Sequence, residues 1–331
     1  MLKEINNYIN SLPIDVEPSG LYAPIRYVLS LGGKRMRPML MMMAYEMWQE
    51  HGTDVLPQAV ALETYHNFTL LHDDVMDKAD VRRGMPTVHR KWNENTAILS
   101  GDNMLCLAMK WMGEFSEAYS SKQSAKAEID SKRTEVCNAF IDTAIMINHG
   151  QQLDVDFESR SDVTEEEYIE MIRLKTSVLL GCAVKIGAIM AGADKQDTQR
   201  LYQFAEAMGL AFQLQDDYLD VYGDPAVFGK EIGGDITSNK KTYMLINALR
   251  LAQGAEKQEL ERWITVSQFD RSEKVAAVTA LYNKLGIDRM AREKMEEYYH
   301  KALKALVEVS VAEERKQPLC EYAAKMMKRE K

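Results

Sequence analysis

The chain has 331 residues, 46% of them hydrophobic, and a formal net charge of −9 at pH 7. That hydrophobic content supports a sizeable core and excludes a disordered chain. The acidic balance argues against general affinity for nucleic acid or for an anionic membrane face, so any anion must be held by a local basic cluster or through metal.

Met1–Ser11 carries Lys3, Glu4 and several Asn without an apolar segment, so no signal peptide is predicted. The eight prolines, at 13, 18, 24, 38, 57, 86, 225 and 318, leave long proline-free stretches from 86 to 225 and from 225 to 318. Those stretches suit long helices, because an internal proline costs about 3 kcal/mol. Alternating β-branched runs joined by Asn-Gly or Asp-Gly turns are absent. The expected fold is all-α, a single helical bundle over 1–331 with no inter-domain linker.

In chain order, the first chemical feature is Gly32-Gly33-Lys34-Arg35-Met36-Arg37-Pro38. It reads as a glycine-hinged basic loop entering a helix, with Pro38 in the first turn. Basic side chains beside a helix N-terminus make a metal-free anion site. His66 follows, seven residues before Asp73 and on roughly the same helix face. Alone it reads as a core histidine; beside the basic loop it is a third diphosphate donor.

Leu70-Leu71-His72-Asp73-Asp74-Val75-Met76-Asp77 then places Asp73 and Asp77 one above the other, with Asp74 rotated by about 100°. Stacked like charges repel unless a cation joins them. Mg²⁺ suits the pair, since it takes one or two carboxylates and completes its octahedron with water and phosphate oxygens. Arg82-Arg83-Gly84 adds two guanidiniums on the following loop.

Ser120–Arg133 is polar and reads as a surface loop or frayed helix end. Thr164 is the predicted N-cap of the next helix, with Glu167 as its capping-box partner. Lys175, in Leu174-Lys175-Thr176-Ser177, sits mid-helix in apolar company, where an unpaired lysine is poorly tolerated. Val178–Ala193 is the longest apolar stretch, but Lys185 interrupts it and its length falls short of a bilayer span.

Leu201, Phe204, Ala205, Met208, Phe212 and Leu219 form an inward-facing helical stripe. On that helix Gln213-Leu214-Gln215-Asp216-Asp217-Tyr218-Leu219-Asp220 repeats the Asp-Asp-x-x-Asp spacing among apolar neighbours. Such a cluster is costly unless something pairs it. Two of them facing each other across a cavity are expected to hold several Mg²⁺ ions around one diphosphate. Lys230 and Lys240 flank the glycine-rich loop that follows and read as phosphate partners. The run Lys325–Lys331 reads as a solvated helix end, with a basic lid as the alternative. Cys106, Cys137, Cys182 and Cys320 form no CxxC pair and read as core thiols of a reducing, cytoplasmic protein.

Together, GGKRMRP, LLHDDVMD with RRG, LKTS, FQLQDDYLD and GK…D…NKKT resemble the trans-isoprenyl diphosphate synthases, the polyprenyl synthetase family, in the expected order from about Gly32 to Thr242. The resemblance implies an all-α bundle around a central active-site cavity, usually a homodimer. It implies an allylic diphosphate bound through three Mg²⁺ ions on Asp73, Asp77 and Asp216, with Asp74, Asp217 and Asp220 as further ligands, directly or through water. Arg82, Lys175, Lys230 and Lys240 would complete that shell. Isopentenyl diphosphate would take a metal-free pocket of Lys34, Arg37, His66 and Arg83. Thr176 and Gln213 match the family's polar residues beside the developing cation.

The resemblance further implies that the product grows along the helix before the first motif. Phe68, five before Asp73, with Thr69 and the deeper Tyr65, predicts C15 to C20 products, leaning to C20. A class I terpene cyclase lacks the second diphosphate loop and usually carries a different second metal motif. A non-catalytic regulatory subunit tends to lose one Asp motif, and both are intact.

Overall fold

The long proline-free stretches are helical as expected, although Pro24 and Pro318 lie inside helices. The computed structural model describes residues 1–123, 125–224 and 232–328. Helices α1 (Leu2–Ser11), α2 (Ser19–Ser30), α3 (Met36–Glu46) and α4 (Leu56–Met76) precede a hairpin of β1 (Val81–Arg82) and β2 (Met85–Pro86). That antiparallel pair, with Val81 opposite Pro86, is the one sheet among the described residues. Next come α5 (Val88–Lys91), α6 (Glu94–Met112), α7 (Glu117–Ser120) and the 34-residue α8 (Lys126–Ser159). Helix α9 (Glu165–Ile172) passes through a π-helical turn, Arg173–Ser177, into α10 (Val178–Ala191), and α11 (Lys195–Tyr222) follows. The chain closes with α12 (Gly234–Ser238), α13 (Tyr243–Leu251), α14 (Gly254–Thr265), α15 (Arg271–Leu285), α16 (Ile287–Val307) and α17 (Glu313–Met327). The chain is all-α, as its proline spacing predicts.

Two compact units account for the packing. The first holds Met1–Asp142, Cys182–Leu201 and Ser310–Arg315. Its central helix is α4, which has Pro57 in its first turn and buries every residue from Pro57 to Tyr65. A helix that is apolar all round belongs in a core. Helix α6, capped by Asn93 Oδ1 accepting from Thr96 N at 2.8 Å, packs along it. Within this unit the buried carboxylate Asp54 accepts from Tyr45 Oη at 2.9 Å and pairs with Lys122.

The second unit holds Thr143–Gly181, Tyr202–Val309 and Lys316–Lys331. Tyr168, Leu210, Leu214, Tyr218, Leu260 and Trp263 belong to its core. Thr164 caps α9 and Glu167 returns a bond to the Thr164 backbone, the predicted capping box. The α11 stripe points inward as expected, with Leu201, Phe204, Ala205, Met208 and Leu219 buried and Phe212 partly so.

Three expectations need correction. Within Ser120–Arg133, residues 121–123 and 125 lie outside helix as expected, but residues from Lys126 onward form the first turns of α8. Polar composition marks exposure, not coil, and the Lys132–Glu128 and Arg133–Asp130 pairs support helix there. The apolar stretch after Ser177 belongs to a longer helical run, Glu165–Ala191, which is long and apolar enough to cross a membrane. Its most apolar window is 83% buried inside the protein, so it reads as a core helix. Finally, only Cys182 is a buried thiol; Cys137 and Cys320 are partly exposed and Cys106 is exposed. At the C-terminal end Lys325 and Lys328 are exposed, while Met326 is buried and Met327 O accepts from Gln215 Nε2 at 2.9 Å. Arg329–Lys331 lie outside the described residues.

Candidate active site

Each unit carries one of the two aspartate motifs. In the first unit the end of α4 presents Asp73 half-buried and Asp77 exposed. Asp74 faces the other way, as 100° of rotation requires. It is buried, and Arg82 grips it, with Nε 2.9 and 2.8 Å from its two oxygens and Nη2 at 2.8 Å. Arg82 and Asp74, expected to serve the diphosphate and the metal, are here partners of each other.

Beside them the basic loop is folded against α4. Arg83, at φ 54°, donates from Nη1 to Gly32 O, and its guanidinium lies flat on Gly33. Gly33 adopts φ +130°, and a Cβ there would meet Arg83 Cζ at 3.0 Å, so a side chain is strained and must displace the guanidinium. The His66 imidazole is pushed well below its usual basicity, first by burial and then by the charges of Arg37, Arg83, Arg82 and Arg35. It is therefore neutral near pH 7, one N–H donor among arginines. Arg37 and Arg83, expected in one pocket with His66, lie within its electrostatic reach, and so do Arg82, expected in the other diphosphate shell, and Arg35. Lys34 stands exposed in the same loop.

Arg35 was not among the predicted site residues, yet it anchors this loop. As N-cap of α3 at φ 49°, it is 3% exposed. Its Nη1 donates to Glu63 Oε1 at 2.8 Å and its Nη2 to Leu29 O at 2.7 Å. Glu63, 2% exposed, also accepts from Asn67 Nδ2 at 3.4 Å. A lone glutamate inside the apolar run Ala59–Tyr65 is the signal that could have revealed the pair.

Upstream of Asp73 an aromatic row lines α4. Phe68 lies 4.8 Å from His72 and 5.5 Å from Tyr65, and Tyr65 meets Phe140 of α8 edge-on at 5.2 Å. Thr69 Oγ1 donates to His66 O at 2.8 Å, so its hydroxyl is spent on the helix. Phe140 extends the predicted pair by one ring.

In the second unit Asp216 and Asp220 are partly exposed on α11, and Asp217 is buried. Tyr168 Oη donates to Asp217 Oδ2, and Gln213 Nε2 donates to Oδ1 at 3.1 Å. Burial, with Asp235 adding to it and Lys240 opposing it, pushes the Asp217 carboxyl up to about 7. Fixed this way, the Gln213 amide turns its oxygen to Thr176, whose Oγ1 donates to it at 3.3 Å. Thr176 and Lys175 lie in the π-helical turn, a distortion frequently found at functional sites. Lys175 is paired, its Nζ 2.6 Å from Asp154 Oδ2 of α8. Asp220 Oδ2 accepts from Asp235 N at 3.0 Å. Lys240 shares the electrostatic neighbourhood of Asp217; Lys230 lies outside the described residues.

Among the described residues no group of three or more His, Cys, Asp or Glu side chains is poised to hold a metal ion. The outward pairs are Asp73 with Asp77 and Asp216 with Asp220. Hard carboxylate oxygens in twos fit a divalent cation that completes its coordination with water and phosphate.

Helical fold, paired aspartates and a basic glycine-hinged loop agree with comparison to known proteins. The polyprenyl synthetase family model matches residues 18–283. The chain belongs to the polyprenyl synthetase family. It is 42% identical over 238 residues to geranylgeranyl diphosphate synthase of Methanosarcina mazei, covering 72% of this chain and 69% of that one. It is 38% identical over 263 residues to geranylfarnesyl diphosphate synthase of Natronomonas pharaonis, covering 74% of each. A crystal structure of a geranylgeranyl pyrophosphate synthase superposes with a TM-score of 0.90 at 41% identity, covering 100% of this chain and 99% of that one.

Proposed function

We propose that the chain, working as one domain over 1–331, is a short-chain prenyltransferase that condenses isopentenyl diphosphate with allylic diphosphates (dimethylallyl, geranyl and farnesyl) to give geranylgeranyl diphosphate. The observation that carries this reading is the pair of different anion-binding devices. One consists of outward aspartate pairs for a metal-bound diphosphate. The other is a metal-free cluster of Arg37, His66 and Arg83 with Lys34.

Asp73, Asp77 and Asp216 would hold three Mg²⁺ ions, with Asp220 beside them, and bound Mg²⁺ would neutralise the departing diphosphate. Arg82, Lys175, Lys230 and Lys240 would complete the shell around that diphosphate. The C–O bond of the allylic substrate breaks, and its electron pair leaves with diphosphate. The Thr176 hydroxyl and Gln213 amide oxygen face the allylic cation. The double bond of isopentenyl diphosphate forms the new C–C bond, and a proton passes to the released diphosphate. The residues act by orientation and charge, without a side-chain nucleophile.

A homodimer is supported by Leu99, Asp102, Cys106 and Met109, which are exposed along α6 at heptad-like spacing. Leu99 is 60% and Met109 44% exposed. Four free cysteines suit the reducing cytoplasm.

The test is to incubate the purified chain with isopentenyl diphosphate, labelled primers and Mg²⁺, and to size the products. C20 is expected; predominant chains of C30 or longer contradict it. Phe68→Ala, which opens the row above Tyr65 and Phe140, is expected to lengthen the product, and an unchanged length would remove Phe68 from the floor. Gly33→Ala should raise KM for isopentenyl diphosphate by about tenfold through displacement of Arg83, with little change in the allylic KM. Equal effects on both substrates in steady-state kinetics would contradict that placement.

A further inference from the structure

The first turn of α15 carries a buried lysine that the condensation chemistry does not use. Lys274 is 1% exposed, and a buried ammonium is costly unless held. Its Nζ lies 2.7 Å from Asn239 Oδ1, 3.5 Å from Thr237 O and 4.3 Å from the Phe269 ring centre. All three partners are neutral. Burial also lowers the pKa of the group, so its retention there calls for a role.

These bonds hold the loop that leads to Lys240. Thr237 belongs to α12, and Asn239 ends that helix in the left-handed region at φ 55°. Such a backbone in a non-glycine residue persists where its surroundings over-determine it. Asn239 is held from two directions, because its Nδ2 donates to Ile264 O at 3.0 Å while its Oδ1 accepts from Lys274. The next residue is Lys240, whose N donates to Asp235 O at 2.9 Å.

Neighbours of Lys274 grip the same loop further back. Arg271 Nη2 donates to Ile232 O at 2.9 Å. Val275 occupies the space beside Gly233 (φ +80°), where a Cβ would fall 2.4 Å from Cγ2. From the other side Asp220 accepts from Gly233 N at 2.6 Å through its carbonyl and from Asp235 N through its carboxylate. The loop is therefore fixed between the second aspartate motif and α15.

We infer that Lys274 is a positioning residue, whose ammonium fixes Asn239 and so sets where Lys240 presents its charge to the allylic diphosphate. The inference rests on the reading of Lys240 as a diphosphate partner. It is tested with Lys240→Ala, Lys274→Met (which keeps the apolar stem) and the double variant, using farnesyl diphosphate and isopentenyl diphosphate in steady-state kinetics. Lys274→Met is expected to raise KM for farnesyl diphosphate about tenfold, the scale of one hydrogen bond to a charged group, and to leave KM for isopentenyl diphosphate unchanged. The double variant should be no worse than Lys240→Ala alone, since coupled residues are non-additive. Additive effects, or an equal rise in both KM values, would overturn the inference and leave Lys240 in its role. An unchanged farnesyl KM in Lys240→Ala sinks the reading of Lys240, and this inference with it. Should Lys274→Met fail to fold, Asn239→Gly, which keeps the left-handed backbone and deletes the clamp, must show the same selective rise.

Discussion

Asp73→Asn or Asp216→Asn is expected to lower turnover by about 10²–10³-fold or more while leaving the fold as stable as before. The scale is that of removing one preorganised group that stabilises developing charge. Asparagine matches aspartate in size and keeps one side-chain oxygen as acceptor, so packing is retained while the ligand charge is lost. Removing one of two carboxylates stacked on a helix face also relieves repulsion, so thermal stability should hold or rise slightly. Asp74→Asn is the contrast. Its carboxylate is buried and forked by Arg82, so this variant should lose stability as well as activity. The measurements are steady-state turnover and a thermal melt on the three variants. Loss of stability in Asp73→Asn with intact turnover would reverse the roles assigned to Asp73 and Asp74.

Arg35→Met and Glu63→Leu should each destabilise the first unit by about 3–5 kcal/mol, because each strands a buried partner of a 2.8 Å ion pair. The double variant Arg35→Met/Glu63→Leu should recover much of that loss, since it leaves no charge behind. Chemical denaturation of the singles and the double measures this. The singles should also raise KM for isopentenyl diphosphate, because Arg35 ties Leu29 O and the start of α3 to α4. Additive losses in the double variant would show that the pair does not act as a unit.

What the sequence made legible was local. Thr164 and Glu167 lie three residues apart, so their capping box is written in one short segment. The α11 stripe and the spacing of both aspartate motifs follow from the helical period, as does the rotation of Asp74 away from Asp73 and Asp77. Partnerships across long separations were not legible. Tyr168 meets Asp217, Lys175 meets Asp154, Arg35 meets Glu63 and Lys274 meets Asn239 only after folding. Asp74 and Asp217 therefore read as ligands in the linear motif, and only their partners show them turned inward. Cys106 was misread for a related reason. Helical neighbours do not say which face a residue occupies, and this one lies on the exposed stripe of α6 with Leu99 and Met109.

The proposed function divides the labour: aspartates and metal hold one diphosphate while arginines and a neutral histidine hold the other. Equilibrium binding tests it directly, using isopentenyl diphosphate and an unreactive thio analogue of farnesyl diphosphate, each with Mg²⁺ and with a chelator. Isopentenyl diphosphate is expected to bind under both conditions and the allylic analogue only with Mg²⁺. Loss of isopentenyl diphosphate binding in chelator, or undiminished binding of the analogue there, would rule out that division.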